Sequence, residues 1–287
     1  MKIDDIDAFV AVIRNASLSQ AAESLGLTQS AITRRVQSLE ESLGVALLDR
    51  NTKPLKPTAS GLRVYEQCRR VLREVDGLRE LVAGDATPSG VLRLGVPQSI
   101  GEVVLLDALR RLADEYPELR AQVGTGWGSH LLARLENAEL DAAVVLFPPS
   151  KVFPEELGAT PLGRIELCVV VARDSAIQAR RLLDCYHHGW VLNPDGCGFR
   201  AGLQLNLETF GSELQLGLVA AGRGLGLVPA PALARSRYRD QLQVLQLEDF
   251  QPLIQLWLVR PRLLGNLETP ARLFGRAVAE GLDMQAG

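Results

Sequence analysis

The stretch "LTQSAITRRVQSLE", residues 27–40, decides how this chain is read. Leu27, Ile32, Val36 and Leu39, continued by Leu43, recur at helical spacing and mark a buried stripe. Ser30, Thr33, Arg34 and Gln37 recur at the same spacing on the opposite side. A polar face of that kind is ordinarily a solvated surface. The question is whether this one reads something.

Working outward, Thr28 is a cap for the helix and Gly44 stops it. Upstream, Ser19 is expected to cap a short helix over "QAAESL", with Gly26 as its stop. Only "GLT" separates the two, and Ala21 and Ala22 are small enough for a close crossing. Two short helices joined by a Gly-containing turn form a helix-turn-helix. Before them, Ile3, Ile6, Val10 and Ile13 make a further helical stripe. After them, "VALLDRNTKPLKPT", residues 45–58, reads as two short extended pieces around a turn, a hairpin wing. A long helix then starts near Ala59. Its residues Val64, Cys68, Val71, Val75, Leu78 and Val82 are spaced 4, 3, 4, 3, 4, which predicts a seam against a partner helix. Packing of that seam on its own domain is the alternative. "GDATPSG", residues 84–90, is a linker by composition.

Length and composition bound the rest. A chain of 287 residues fits about two domains, and 47% hydrophobic content is ordinary for globular cores. Lys and Arg number 31 against 34 Asp and Glu, a net charge of −3, which excludes a polycation but not a local basic patch. The start "MKIDDIDAFV" does not read as a signal peptide, and no run approaches the ~18 apolar residues of a membrane helix. Cys68, Cys168, Cys185 and Cys197 show no CxxC pairing, so reduced thiols and a cytoplasmic location are expected. No metal-ligand spacing appears, and no cofactor is expected.

From Val91 the pattern switches to strands alternating with helices. "VLRLGV", "LRAQVG" and "DAAVVLF" read as strands, with helices over Val103 to Tyr116 and "HLLARLENAEL" between them. "IELCVVVA", "GWVLNP" and "LGLVPA" repeat the theme, with the helix "ELQLGLVAAG". Such alternation predicts parallel sheets covered by helices, here in two α/β subdomains. The strand "LIQLWLVRP" and helix "TPARLFGRAVAEGL" fit either subdomain.

With these residues in hand a family resemblance emerges. "FVAVIRNASLSQAAESLGLTQSAITRRVQSLEESLGVALLDR" closely resembles the winged helix-turn-helix of LysR-type transcriptional regulators. The likeness rests on Ala21–Ala22, Leu25, Thr28, Gln29, Ser30, Ile32, Arg34, Leu39–Glu40, Leu43–Gly44 and Arg50, and on Pro57, Thr58 and Gly61 opening the long helix. "GRIELCVVVAR" and "ELQLGLVAAGRGLGLVPA" look like segments of the family's effector domain. Ser30 stands where proline is common in the family, and the wing carries Lys53 and Lys56 rather than an arginine cluster.

The resemblance implies an all-α winged helix-turn-helix at 1–58, a linker and dimerisation helix at 59–86, and an effector domain at 91–287. The effector domain is expected to hold two Rossmann-like subdomains in the manner of periplasmic binding proteins, the first about 91–162 and 265–287, the second about 163–264. The implied function is effector-modulated, sequence-specific binding of double-stranded operator DNA by a bacterial transcription regulator. A homodimer, a dimer of dimers and contact with RNA polymerase are implied partners.

The candidate contacts have chemical reasons of their own. A recognition helix presents its first residues to base edges in the major groove. Gln29 suits adenine, Arg34 suits guanine or a phosphate, and Ser30 and Thr33 suit either base or phosphate. Arg35 is expected to point away. Arg50, Lys53 and Lys56 on the wing suit phosphates or the minor groove. Residues 28–58 hold five basic against three acidic side chains, so one domain alone binds weakly and a dimer is expected. For the effector, Ser99 opens a helix after the first strand, where N–H groups favour an anion. Trp127 and Phe147 end the next strands, and Cys197, Phe199 and Arg200 lie in a loop of the second subdomain. The expected ligand is a small organic acid with an apolar or aromatic body. Two other readings compete. A thiol enzyme from Cys185 or Cys197 with His130, His187 or His188 lacks any selecting spacing. An exported solute-binding protein would lack the first 85 residues.

Overall fold

The computed structural model describes residues 1–49, 52, 54–82, 87–192, 204–208 and 211–282, with residues 73, 76, 79–82 and 204–208 described as backbone only. The chain forms two compact units, Met1–Gly84 and Asp85–Gly287.

In the first unit, α1 (Ile3–Asn15), α2 (Leu18–Ser24) and α3 (Gln29–Leu43) pack around Ile6, Phe9, Val10, Ala21, Ala22, Ile32, Val36 and Leu39. The cap of α2 is Ser17 rather than the expected Ser19. Ser17 is extended, and its side chain accepts from the Gln20 amide at 3.4 Å, so the helix starts at Leu18. Thr28 caps α3 by accepting from the Ala31 amide, and left-handed Gly44 ends it. Strands β1 (Leu48–Asp49) and β2 (Lys56–Pro57) pair antiparallel as the wing. Glu40 reaches out from α3 and accepts the Leu47 and Leu48 amides at 2.8 and 3.2 Å, tying the wing to the recognition helix.

The long helix α4 (Ala59–Val82) belongs to this same unit. Its expected seam divides into an inner and an outer part. Cys68 is buried in the unit's own core, and Val64 and Val71 pack against that core. The first turns of α4 therefore complete the winged domain, because they lie back across α1. Further along, Val75 is half-buried and Leu78 is 63% exposed. The Val82 side chain lies outside the described residues.

Among the described residues of the second unit, nine strands join in the order β4-β3-β5-β11-β6-β9-β7-β8, with β10 on the side of β6. Strands β3 (Gly90–Pro97), β4 (Leu119–Gly126) and β5 (Ala142–Phe147) are parallel, with α5 (Gln98–Glu115) and α6 (Gly128–Glu136) between them. Helix α5 starts directly from Pro97, five residues before the expected Val103. Strands β7 (Gly189–Leu192), β8 (Gln204–Glu208) and β9 (Leu225–Pro229) are also parallel, with α7 (Ser212–Ala220) leading into β9 and α8 (Ala230–Arg235) leaving it. Between the two groups runs β6 (Leu157–Ala172), 16 residues long. Its first part pairs with β11 (Leu253–Pro261), and its last part pairs with β9 and with β10 (Leu242–Val244).

Strand β11 also pairs antiparallel with β5, from Gln255 opposite Phe147 to Val259 opposite Ala143. It lies in the first sheet, so the chain returns to the first subdomain at Leu253 and not near residue 265. The expected boundary at 163 falls inside β6, where the β6–β11 register shifts between Leu256 and Trp257. The buried Gln255 amide fills that irregularity, donating to the Gly163 and Leu256 carbonyls. The last helix, α9 (Glu268–Gly281), packs beside α5.

Candidate DNA interface and effector site

The face that opened the question stands clear of the core. Thr28, Gln29, Ser30, Arg34 and Gln37 are exposed and Thr33 half-exposed, while Ile32, Val36 and Leu39 behind them are buried. Gln29, Ser30, Thr33, Arg34 and Gln37 line one open concavity. Gln37 was absent from the expected contacts, although its spacing from Thr33 and Arg34 places it on their face. The first turn is pre-shaped. The Thr28 and Ser30 hydroxyls lie 3.0 Å apart, and Thr33 donates to the Gln29 carbonyl at 2.9 Å. Arg34 has no ion pair among the described residues, so its guanidinium is available to an outside acceptor. Arg35 instead pairs with Asp4 at 3.2 Å, turning to α1 as the spacing implied. On the wing Lys56 is exposed, and Arg50 and Lys53 lie outside the described residues.

The second unit brings strand ends and helix starts together, where ligands of open α/β sheets sit. Ser99 is buried in the first turn of α5, which has no side-chain cap, so its first amides are uncommitted to the chain's own side chains. Trp127 is the first residue before α6, half-buried, with its ring 5.5 Å from that of His130. The Phe147 ring covers Gly128, where an added Cβ would meet its Cζ at 2.8 Å, so Trp127 and Phe147 are neighbours. Phe147 is also committed elsewhere. It stands edge-on to Phe153 at 5.9 Å, with the Lys151 ammonium 4.8 Å over its face, and Phe153 in turn meets Trp257. Phe147 thus packs among residues on the α6 side of the sheet. Cys197, Phe199 and Arg200 lie outside the described residues.

The described thiols are placed for packing. Burial pushes Cys68 and Cys185 up to about 11 and also raises Cys168, where the nearby Glu166 charge adds to the effect. At pH 8 the thiolate fraction of a group at about 11 is on the order of one in a thousand. Alkylation of native protein at pH 8, followed by mass spectrometry, is expected to leave Cys68 and Cys185 unmodified until the chain is denatured. Rapid native labelling of Cys185 would contradict its burial. Among the described residues no cluster of His, Cys, Asp or Glu could hold a metal ion, and no helix is long and apolar enough to cross a membrane.

Comparison with known proteins gives the same division of the chain. Residues 3–62 match the model of the bacterial regulatory helix-turn-helix proteins of the lysR family, and residues 85–282 match the LysR substrate binding domain. The hydrogen peroxide-inducible genes activator of Pectobacterium carotovorum is 29% identical over 257 residues, covering 84% of this chain and 83% of that protein. The DNA-binding transcriptional dual regulator OxyR of Escherichia coli is 28% identical over 256 residues, with 84% and 83% covered. Among solved structures, a full-length OxyR variant from Pseudomonas aeruginosa superposes with a TM-score of 0.77 at 20% identity, covering 97% of this chain and 98% of that one. A winged helix-turn-helix with an exposed polar recognition face, followed by an α/β unit with the substrate-binding pattern, makes this chain a member of the LysR family of DNA-binding transcriptional regulators.

Proposed function

We propose that the protein recognises a two-fold symmetric operator as a homodimer and responds to a small anionic effector held at the start of α5. The observation that carries the DNA reading is the free face of α3. Gln29, Ser30, Thr33 and Arg34 stand together over a closed core, Arg34 without a described partner, as base-edge contacts require. Thr28 orders the first turn, and Lys56, with Arg50 and Lys53 from the same wing, supplies phosphate contacts. With so few basic groups per domain, two domains must bind together, and pairs of dimers extend the footprint. The effector reading rests on Ser99 in an uncapped helix start, with Trp127 nearby as an apolar wall and Phe147 behind it. This function needs no catalysis, and it places the protein in the cytoplasm with RNA polymerase as its downstream partner. Selection from random double-stranded DNA is expected to enrich paired half-sites in inverted orientation. Failure to enrich any sequence would sink the reading.

Dimerisation is assigned to the outer part of α4, where Leu78 leaves a large apolar side chain in solvent. Leu78→Glu is expected to convert a dimer to a monomer in sedimentation at micromolar concentration. Its thermal stability should change little, because the side chain is mostly exposed. A monomeric wild type, or a Leu78→Glu protein that stays dimeric, would remove α4 from the interface.

A further inference from the structure

Helix α7 of the second subdomain begins with two buried polar atoms that have no hydrogen-bond partner, Ser212 Oγ and Gln215 Oε1. Ser212, the first helical residue, is 2% exposed, and its Oγ has no hydrogen-bond partner. Gln215, one turn later, is fully buried. Its Nε2 donates to the Val191 carbonyl of β7 at 2.9 Å and the Leu227 carbonyl of β9 at 3.2 Å, which fixes the amide's orientation and leaves Oε1 unpartnered. Buried polar atoms without partners cost about 1–3 kcal/mol each, so two on one helical turn call for an explanation. In a helix the Cα–Cβ bonds tilt toward the N-terminus, so both side chains lean to the buried start of α7. That start has no side-chain cap, because Gly211 precedes it.

The same start faces the first subdomain. A Cβ at Gly211 would meet Gln98 Nε2 at 2.7 Å and Glu102 Oε1 at 3.0 Å, and Gln98 donates to Glu102 at 3.1 Å. Gln98 is the neighbour of Ser99 and shares the first turn of α5. The uncapped starts of α5 and α7 therefore lie within a side chain's length of each other. The free groups on the α7 side are not those that an anion alone would satisfy. Gln215 Oε1 accepts only, and a carboxylate has no proton to give it.

We infer that Ser212 and Gln215 form a second polar subsite of the effector site, which takes a hydroxyl or amino group of a small carboxylic acid whose carboxylate lies at Ser99. This rests on the assignment of Ser99 to the effector site. The ligand class is thus a hydroxy- or amino-carboxylic acid. Ser212 Oγ can donate to or accept from the added group, and Gln215 Oε1 accepts its proton.

The test uses the full-length protein and parent acids, each paired with its hydroxy and amino derivatives: propionate, 3-phenylpropionate and benzoate. Affinities are measured by calorimetric titration on the wild type, Ser212→Ala and Ser99→Ala. At least one derivative should bind the wild type roughly fivefold or more tighter than its parent, the worth of one or two neutral hydrogen bonds. Ser212→Ala should abolish that preference while leaving the parent's affinity intact, and Ser99→Ala should weaken both. Without ligand, Ser212→Ala should melt at the wild-type temperature or above it, because it removes an unsatisfied hydroxyl. A preference that survives Ser212→Ala, or parents and derivatives that bind alike, would overturn the subsite and leave the Ser99 site standing. A marked drop in the melting temperature of ligand-free Ser212→Ala would also overturn it, showing a structural role for the hydroxyl. Affinities unchanged in Ser99→Ala, or no binding by any acid to the wild type, would overturn the Ser99 assignment and the subsite with it.

Discussion

Gly61→Ala is expected to unfold the winged helix-turn-helix and leave the α/β unit standing. Gly61 lies in the first turns of α4, flush against the wing. A Cβ there would sit 2.0 Å from the Leu47 carbonyl oxygen and 2.9 Å from its carbon, and both are backbone atoms that cannot swing aside. The contact is also held by hydrogen bonds. Thr58 donates its amide to the Leu47 carbonyl and its hydroxyl to the Ala46 carbonyl, each at 2.9 Å, while its Oγ1 accepts the Gly61 amide. One methyl group must therefore separate α4 from the wing and break this clip. Overpacking against rigid backbone together with lost hydrogen bonds puts the cost at about 3 kcal/mol or more. Calorimetry should show the transition of unit Met1–Gly84 shifted down and that of Asp85–Gly287 unmoved. Specific DNA binding should disappear with it. A Gly61→Ala protein destabilised by less than about 1 kcal/mol would show that the wing relaxes freely.

The second large effect is on DNA. Arg34→Ala removes an exposed side chain with no described ion pair, so circular dichroism and melting temperature should hold. A bidentate base contact is worth about 1–3 kcal/mol, and a dimer makes it twice, so operator affinity should fall between about 30-fold and 10⁴-fold. The change should concentrate on the guanine-bearing positions of each half-site. A phosphate contact would instead weaken all sequences alike and reduce the salt dependence. Arg35→Ala is the control. It loses only the exposed pair with Asp4, which is worth little, and operator affinity should stay near wild type. Operator binding that survives Arg34→Ala at full strength would take Arg34 out of the readout.

Local signals made most of the first unit legible. Ile32, Val36 and Leu39 recur at one helical period, and the structure buries all three. Thr28 and Gly44 bound α3 as their chemistry demands. The seam of α4 was only partly legible, because heptad spacing cannot tell a partner helix from the chain's own domain. Val64, Cys68 and Val71 satisfy both patterns, and all three pack on the core of their own unit. In the α/β unit seven strands announced themselves by composition, but the short β8 and β10 did not, and neither did pairing across the sheet. The apolar run of β11 gives no hint that it sits between β5 and β6. The proposed effector site follows the same rule. Ser99 suggests itself in the sequence because it follows a strand directly. Ser212 and Gln215 could not, because their significance is a missing partner, and only a folded chain has partners to miss.

The placement of β11 has a consequence for biosynthesis. Strands β5 and β6 leave the ribosome early, yet the strand that joins them is translated only after the whole second subdomain. Until Leu253–Pro261 emerges, the first sheet leaves the apolar edge of Ala142–Phe147 unpaired, and such edges recruit other chains. Closing it then requires contacts between residues far apart in the chain, which is the slow kind of folding step. A chain released before this last strand keeps the β5 edge unpaired, and such an edge favours aggregation.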